Sequence, residues 1–122
     1  MPLTYRAPLE VNTGDAPTHS VIWLHGLGAD GSDFLPVIDE FDRDRLPPTR
    51  FVFPHAPLQA VTLNQGYIVP SWYDILALDR RATEDEAGLL TSVAYLTQLI
   101  EIETTRGVAE KNIVLAGFSQ GG

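Results

Sequence analysis

The sequence predicts an α/β domain built on a mainly parallel sheet flanked by helices, and three observations carry that expectation. Three short runs, Val21–Leu24, Arg50–Phe53 and Asn112–Ala116, are apolar or nearly so and end at glycine, proline or a histidine–glycine pair. Such runs suit strands buried on both faces, as in the middle of a parallel sheet. Between the second and third lies one long segment of helical period, the length a crossover between parallel strands requires.

Taken in order, "PLTYRAPLEV" alternates loosely and reads as an edge strand, and "NTGDAP" supplies a turn through Gly14 and Pro17. "HSVIWLHG" is the first buried strand. Ser32 can cap the segment "DFLPVIDEF", with Pro36 near the first turn, where a missing N–H is best tolerated. "RFVFP" repeats the strand pattern and is stopped by Pro54. From Pro54 to about Ala82 there is little periodicity. Structureless connections beyond about 12–15 residues tend to be functional.

The main helix is expected from Thr83 to about Arg106. Thr83-Glu84-Asp85-Glu86 reads as a capping box, Leu89, Val93, Leu96 and Ile100 share one face, and Gly107 is a left-handed terminator. Asp74, Asp79 and Glu84–Glu86 form an acidic run that is solvated or serves the helix N-terminus. "NIVLAG" closes the pattern as another buried strand.

The totals narrow the function. With 122 residues and no repeat or linker-like stretch, one domain or part of one is expected. Sixteen acidic against eight basic side chains give a net charge of −8, which disfavours nucleic acid and anionic membranes as partners. The absence of cysteine excludes disulfide frameworks, zinc ribbons and thiol nucleophiles. No apolar run approaches the roughly 18 residues of a membrane span. No signal peptide is visible, so a cytoplasmic location is the default expectation. His19, His25 and His55 lack metal-ligand spacing, so no metal site is expected.

Two glycine-rich turns carry the chemistry. Gly26-Leu27-Gly28-Ala29-Asp30-Gly31 fits the dinucleotide fingerprint G-x-G-x-x-G between a strand and a helix. The acidic residue that should hold the ribose is missing, because the next strand ends in Pro54 and His55. The alternatives are a loop whose backbone N–H groups face a developing negative charge and a tight strand-to-helix turn with no ligand. Gly117-Phe118-Ser119-Gln120-Gly121, directly after a strand, fits Gly-x-Ser-x-Gly. Its glycines permit the sharp turn that presents a serine hydroxyl above a sheet. The N–H after the serine pairs there with one from the early strand–helix loop. Ser119 is then the candidate nucleophile, with Leu27 and Gln120 as oxyanion donors. Gly26, Gly28, Gly117, Gly121 and His25 support them, His25 as a framework residue.

"VIWLHGLGADGSDF", "RFVFPHAP", "PSWYDI" and "IVLAGFSQGG" together resemble the carboxylesterase and acyl-protein thioesterase family of α/β-hydrolases, with the bacterial carboxylesterase branch nearest. The resemblance runs from about Ser20 to Gly122. It implies Ser-His-Asp hydrolysis of small-molecule esters or thioesters without a cofactor, and places Trp72 and its loop along the acyl or leaving-group side. In that fold the acid and the histidine follow the serine. The sequence is therefore expected to be the N-terminal part of a single α/β-hydrolase domain, incomplete at its C-terminal side and lacking the triad Asp and His. Alone it would be weakly active or inactive, and self-association through an exposed sheet edge is expected. A dinucleotide-binding module and a non-catalytic hydrolase remnant are the competing readings.

Overall fold

The computed structural model describes residues 4–42, 44–76 and 84–122. Strand β1 (Leu9–Asn12) is followed by β2 (His19–Leu24), a 3-10 helix (Gly31–Glu40) and β3 (Thr49–Phe53). A hairpin of β4 (Leu58–Val61) and β5 (Tyr67–Pro70) precedes helix α1 (Glu86–Thr105), β6 (Ile113–Gly117) and a last 3-10 turn (Ser119–Gly121). The main sheet has the order β1-β3-β2-β6. β2 runs parallel to both neighbours, and β1 is an antiparallel edge strand, Leu9 facing Phe53.

The central strands β2 and β3 are covered on both faces, as their apolar runs require. On one side Ile22 and Val52 pack against Leu99 of α1, with Leu24, Tyr95, Leu96 and Ile100 around them. On the other, Phe51 and Phe53 pack against Ile38 of the 3-10 helix, with Val21, Trp23 and Phe34. Residues alternate between faces along each strand, so β2 sends Ile22 one way and Val21 and Trp23 the other. Fully burying one such side chain contributes about 1.5–3 kcal/mol. β6 has a strand partner on one side only among the described residues, and its Val114 and Leu115 are half exposed. No helix is long and apolar enough to cross a membrane among the described residues.

Several expectations shift in detail. The segment after β2 is a 3-10 helix, and its cap is Asp30 rather than Ser32. The Asp30 carboxylate accepts the Ser32 N–H at 2.8 Å. That bond, with the Ser32 hydroxyl and Arg6, holds the Asp30 carboxyl well below the usual range. The stretch from Pro54 is not structureless, because β4 and β5 pair in antiparallel register, Leu58 opposite Pro70. Gln65 and Gly66, both at positive φ, make the turn.

Thr83 and Asp79 lie outside the described residues. Helix α1 starts at Glu86, capped by Asp85, whose carboxylate accepts the Gly88 N–H at 3.0 Å and the Asp74 N–H at 2.9 Å. Asp74 in turn accepts the Thr62 N–H and hydroxyl, so these acidic residues knit the hairpin to the helix start. Replacing Asp85 with Ala is expected to cost about 1 kcal/mol, the usual worth of an N-cap. Chemical denaturation would check it, and an unchanged midpoint would show that the cap contributes nothing. The expected face of α1 packs inward at Leu96 and Ile100. Leu99 and Glu103, outside the expected stripe, are the helix's buried residues, while Val93 is 56% exposed.

Candidate active site

β2 and β6 lie side by side and parallel, with Leu24 opposite Gly117, and the Phe118 N–H continues the ladder to the Leu24 carbonyl at 3.0 Å. The two glycine-rich turns therefore leave the same end of adjacent strands. From β2 the chain crosses to β3 on one side, whereas β6 lies on the other. This is the switch point at which open α/β sheets bind ligands, outside the carboxyl ends of the strands.

Ser119 has φ of 55°, a left-handed conformation that a non-glycine residue adopts at a cost and that recurs at functional turns. Its neighbours explain how the turn is tolerated. A Cβ on Gly117 would collide with the Gly121 carbonyl, and one on Gly121 with the carbonyls of Leu24 and His25. Gly121→Ala is expected to destabilise the fold by roughly 1–3 kcal/mol, the usual range for forcing extra atoms into a packed site. Thermal unfolding would test this, and an unchanged midpoint would mean that the approach of β2 to this turn is not tight.

The early loop forms the opposite wall. A Cβ on Gly26 would lie 3.5 Å from the Ser119 Cβ and from the Phe118 carbonyl oxygen, ordinary contact distances that place the two turns side by side. Gly26–Ala29 is a β-turn closed by the Ala29 N–H on the Gly26 carbonyl at 3.2 Å, with Gly28 at φ of 74° in its third position. The Gly28 N–H is taken by the Pro70 carbonyl at 2.9 Å. The Leu27 N–H has no acceptor among the described residues. Gln120 sits in the first turn of the last 3-10 helix, where amides have no intrahelical acceptor.

His25 is buried, and both ring nitrogens are engaged. Nε2 accepts the Ala56 N–H at 3.0 Å, which leaves Nδ1 to carry the proton and donate it to the Gly26 carbonyl at 2.7 Å. The Gly31 N–H donates to His55 Nδ1 at 3.1 Å. Burial, with Arg6 nearby, pushes the His55 pKa down, against the pull of Asp30. The 3.5 Å contact of the same Nδ1 with Asp30 is accordingly not an ion pair, since that nitrogen has no proton to give. His19 opens β2, with Nδ1 2.8 Å from the Thr18 hydroxyl.

Trp72 is 3% exposed, wedged between His25 and Tyr95, with ring centroids 5.1 and 6.3 Å away. Its indole N–H donates to the His25 carbonyl at 2.8 Å. The Gln120 side chain, also buried, meets the same loop. An apolar cleft of about 330 Å³ lies on the α1 side of β6, bordered by Leu24, Trp72, Leu96 and Leu115. The hydroxyls of buried Ser71 and half-buried Ser92, which bond the Tyr73 and Trp72 carbonyls, were not singled out from the sequence. An isolated serine carries no signal of burial.

Residues 8–122 match the phospholipase/carboxylesterase family. The chain is 43% identical over 126 residues to acyl-protein thioesterase 1 of Neurospora crassa, covering 98% of this chain and 51% of that protein. With the Yarrowia lipolytica protein of the same name the identity is 46% over 108 residues, covering 87% and 48%. Among solved structures, Zea mays acyl-protein thioesterase 2 superposes with a TM-score of 0.80 at 26% identity, over 95% of this chain and 47% of that one. Arabidopsis thaliana SOBER1 gives 0.78 at 31% identity, over 84% and 50%. The chain thus spans about half the length of the relatives it matches. The fold is that of the α/β-hydrolases, and the chain belongs to the phospholipase/carboxylesterase family.

Proposed function

We propose that Ser119 is the nucleophile of a serine hydrolase that cleaves carboxylic esters or thioesters through an acyl-enzyme. The observation that carries this reading is the left-handed backbone of Ser119 at the tip of a parallel strand, beside the Gly26–Ala29 turn. Both substrate classes present a carbonyl carbon to the hydroxyl, and the relatives' names, acyl-protein thioesterase, support the thioester as one of them. In the first step the Ser119 Oγ–carbon bond forms as a base takes the hydroxyl proton. The carbon–oxygen or carbon–sulfur bond then breaks, and the leaving group receives that proton. Water repeats the sequence on the acyl-enzyme and frees the acid.

The oxyanion formed at each addition would be met by the Leu27 and Gln120 N–H groups. Gly28 is a poorer candidate, since its N–H is already spent on Pro70. Trp72 would border the acyl side mainly by holding the His25 carbonyl, and with it the start of the Leu27 turn. The base and its acid are proposed to come from outside these 122 residues. The hydrogen bonds on both nitrogens of His25 and on Nδ1 of His55 leave neither imidazole suited to the task.

A fluorophosphonate probe tests the assignment in the protein carrying this chain. Peptide mass spectrometry should find the adduct on Ser119, and not on Ser20, Ser32, Ser71 or Ser92. Labelling elsewhere with Ser119 unmodified would sink it.

A further inference from the structure

We propose that the side chain of Gln120 is a positioning residue, bracing the turn that carries one oxyanion donor against the loop that carries Trp72. The inference rests on reading Ser119 as the nucleophile. An oxyanion donor supplied by the main chain makes no demand on its own side chain, so any residue could serve after the serine. Gln120 nevertheless commits its carboxamide fully. The side chain is buried, its Nε2 donates to the Tyr73 carbonyl at 2.6 Å and to the Ser71 hydroxyl at 3.1 Å, and its Oε1 accepts the Trp72 N–H at 2.9 Å. A main-chain donor on one side and a main-chain acceptor on the other fix which end is oxygen and which nitrogen.

The loop at Ser71–Tyr73 also holds the other donor's strand. The Trp72 indole N–H bonds the His25 carbonyl, two residues before Leu27, while the Trp72 main-chain N–H bonds Gln120. One tryptophan thus links the ends of β2 and β6 that carry the two N–H groups. The loop is itself anchored, through the Ser71 N–H on the Pro57 carbonyl at 3.0 Å and the Ser92 hydroxyl on the Trp72 carbonyl. The loop and the Gln120 side chain therefore set the spacing between Leu27 and Gln120. Oxyanion stabilisation depends on donors held in place before the charge develops, and small displacements are costly.

The test uses Gln120→Ala and Gln120→Glu in the protein carrying this chain, with Ser119→Ala beside them, on a p-nitrophenyl ester. Gln120→Ala keeps the main-chain N–H but loses the brace. Its kcat is expected to fall about 10- to 100-fold, below the ~10²–10³ of a donor removed outright, with KM within about threefold. In Gln120→Glu the introduced carboxyl, when protonated, can donate to Tyr73 and accept from Trp72 as the amide does. When ionised it faces the Tyr73 carbonyl with no proton to share. The ratio of its kcat to that of the unmodified protein should therefore fall as pH rises, whereas the Gln120→Ala ratio stays flat. This pH signature remains readable even where Gln120→Ala folds poorly.

Unchanged kcat in both variants, with Ser119→Ala inactive, would overturn the brace and leave the nucleophile standing. A flat Gln120→Glu ratio would equally overturn it. Full activity in Ser119→Ala would instead remove the nucleophile, and the brace with it.

Discussion

Ser119→Ala is expected to lower ester hydrolysis by at least about 10²–10³-fold in the protein carrying this chain. The bound follows from two magnitudes. Enzymes of this kind accelerate their reactions by at least ~10⁶ over water, and about 10³–10⁴ of that survives loss of a triad member through oxyanion donors and binding. The difference is what the nucleophile and its base contribute together. Alanine removes Oγ but leaves the Leu27 and Gln120 amides. A left-handed alanine is no better tolerated than serine, so the turn itself sets how far the fold is disturbed. The variant should lose kcat with little change in KM. Activity within about tenfold of the unmodified protein, measured on the folded variant, would rule out Ser119 as the attacking group.

The sequence made the sheet and its two glycine-rich turns legible because both leave strong local signatures. Val21–Leu24 and Arg50–Phe53 are too short and too apolar for surface helices, and they became the central strands β2 and β3. Gly117 and Gly121 announce a place where the backbone approaches itself, and both approach it closely. What escaped was whatever depends on partners distant in sequence. β4 and β5 are four residues each, and only their pairing across the Gln65–Gly66 turn makes them strands. Asp30 outcompeted Ser32 as a cap because its carboxylate reaches the Ser32 N–H from before the helix. Val93 fits a helical apolar period yet is 56% exposed, and buried Glu103 falls outside that period altogether. A carboxylate in the core is not something periodicity can propose. It makes sense only with the partners that surround it.

Those partners define the largest stability effect expected here. Glu103 is 2% exposed, 83 residues from Ser20 and 53 from Arg50 in the chain. Its Oε1 accepts the Ser20 hydroxyl and, at 2.8 Å, the Arg50 guanidinium, and its Oε2 accepts Arg106 at 3.2 Å. Arg106 also grips Glu10 through both guanidinium Nη atoms, at 2.9 and 3.0 Å. The cluster thus ties β1, β2 and β3 to the last turn of α1. Glu103→Ala would leave the Arg50 side chain, 9% exposed, without its 2.8 Å partner and with only the 3.7 Å contact to the more exposed Glu10. The expected loss is about 3–5 kcal/mol, the usual cost of removing one partner of a buried pair.

Replacing both partners, as Glu103→Leu with Arg50→Met, should recover much of that loss, since two apolar side chains of similar size need no counter-charge. Glu10 adds a pH dependence. Its hydrogen bond to Arg106 holds the carboxyl below its ordinary value of 4.5, so the folded state favours the ionised form. That contribution is complete above about pH 5 and disappears as pH falls through the lowered pKa. It is partly screened, because Glu10 is 37% exposed. Denaturant unfolding of the unmodified protein, the single variant and the double variant at pH 7 and near pH 4 would separate the effects. If Glu103→Ala lost less than about 1 kcal/mol at pH 7, or if the double variant were no more stable than the single one, the buried cluster would not be what fastens α1 to the sheet.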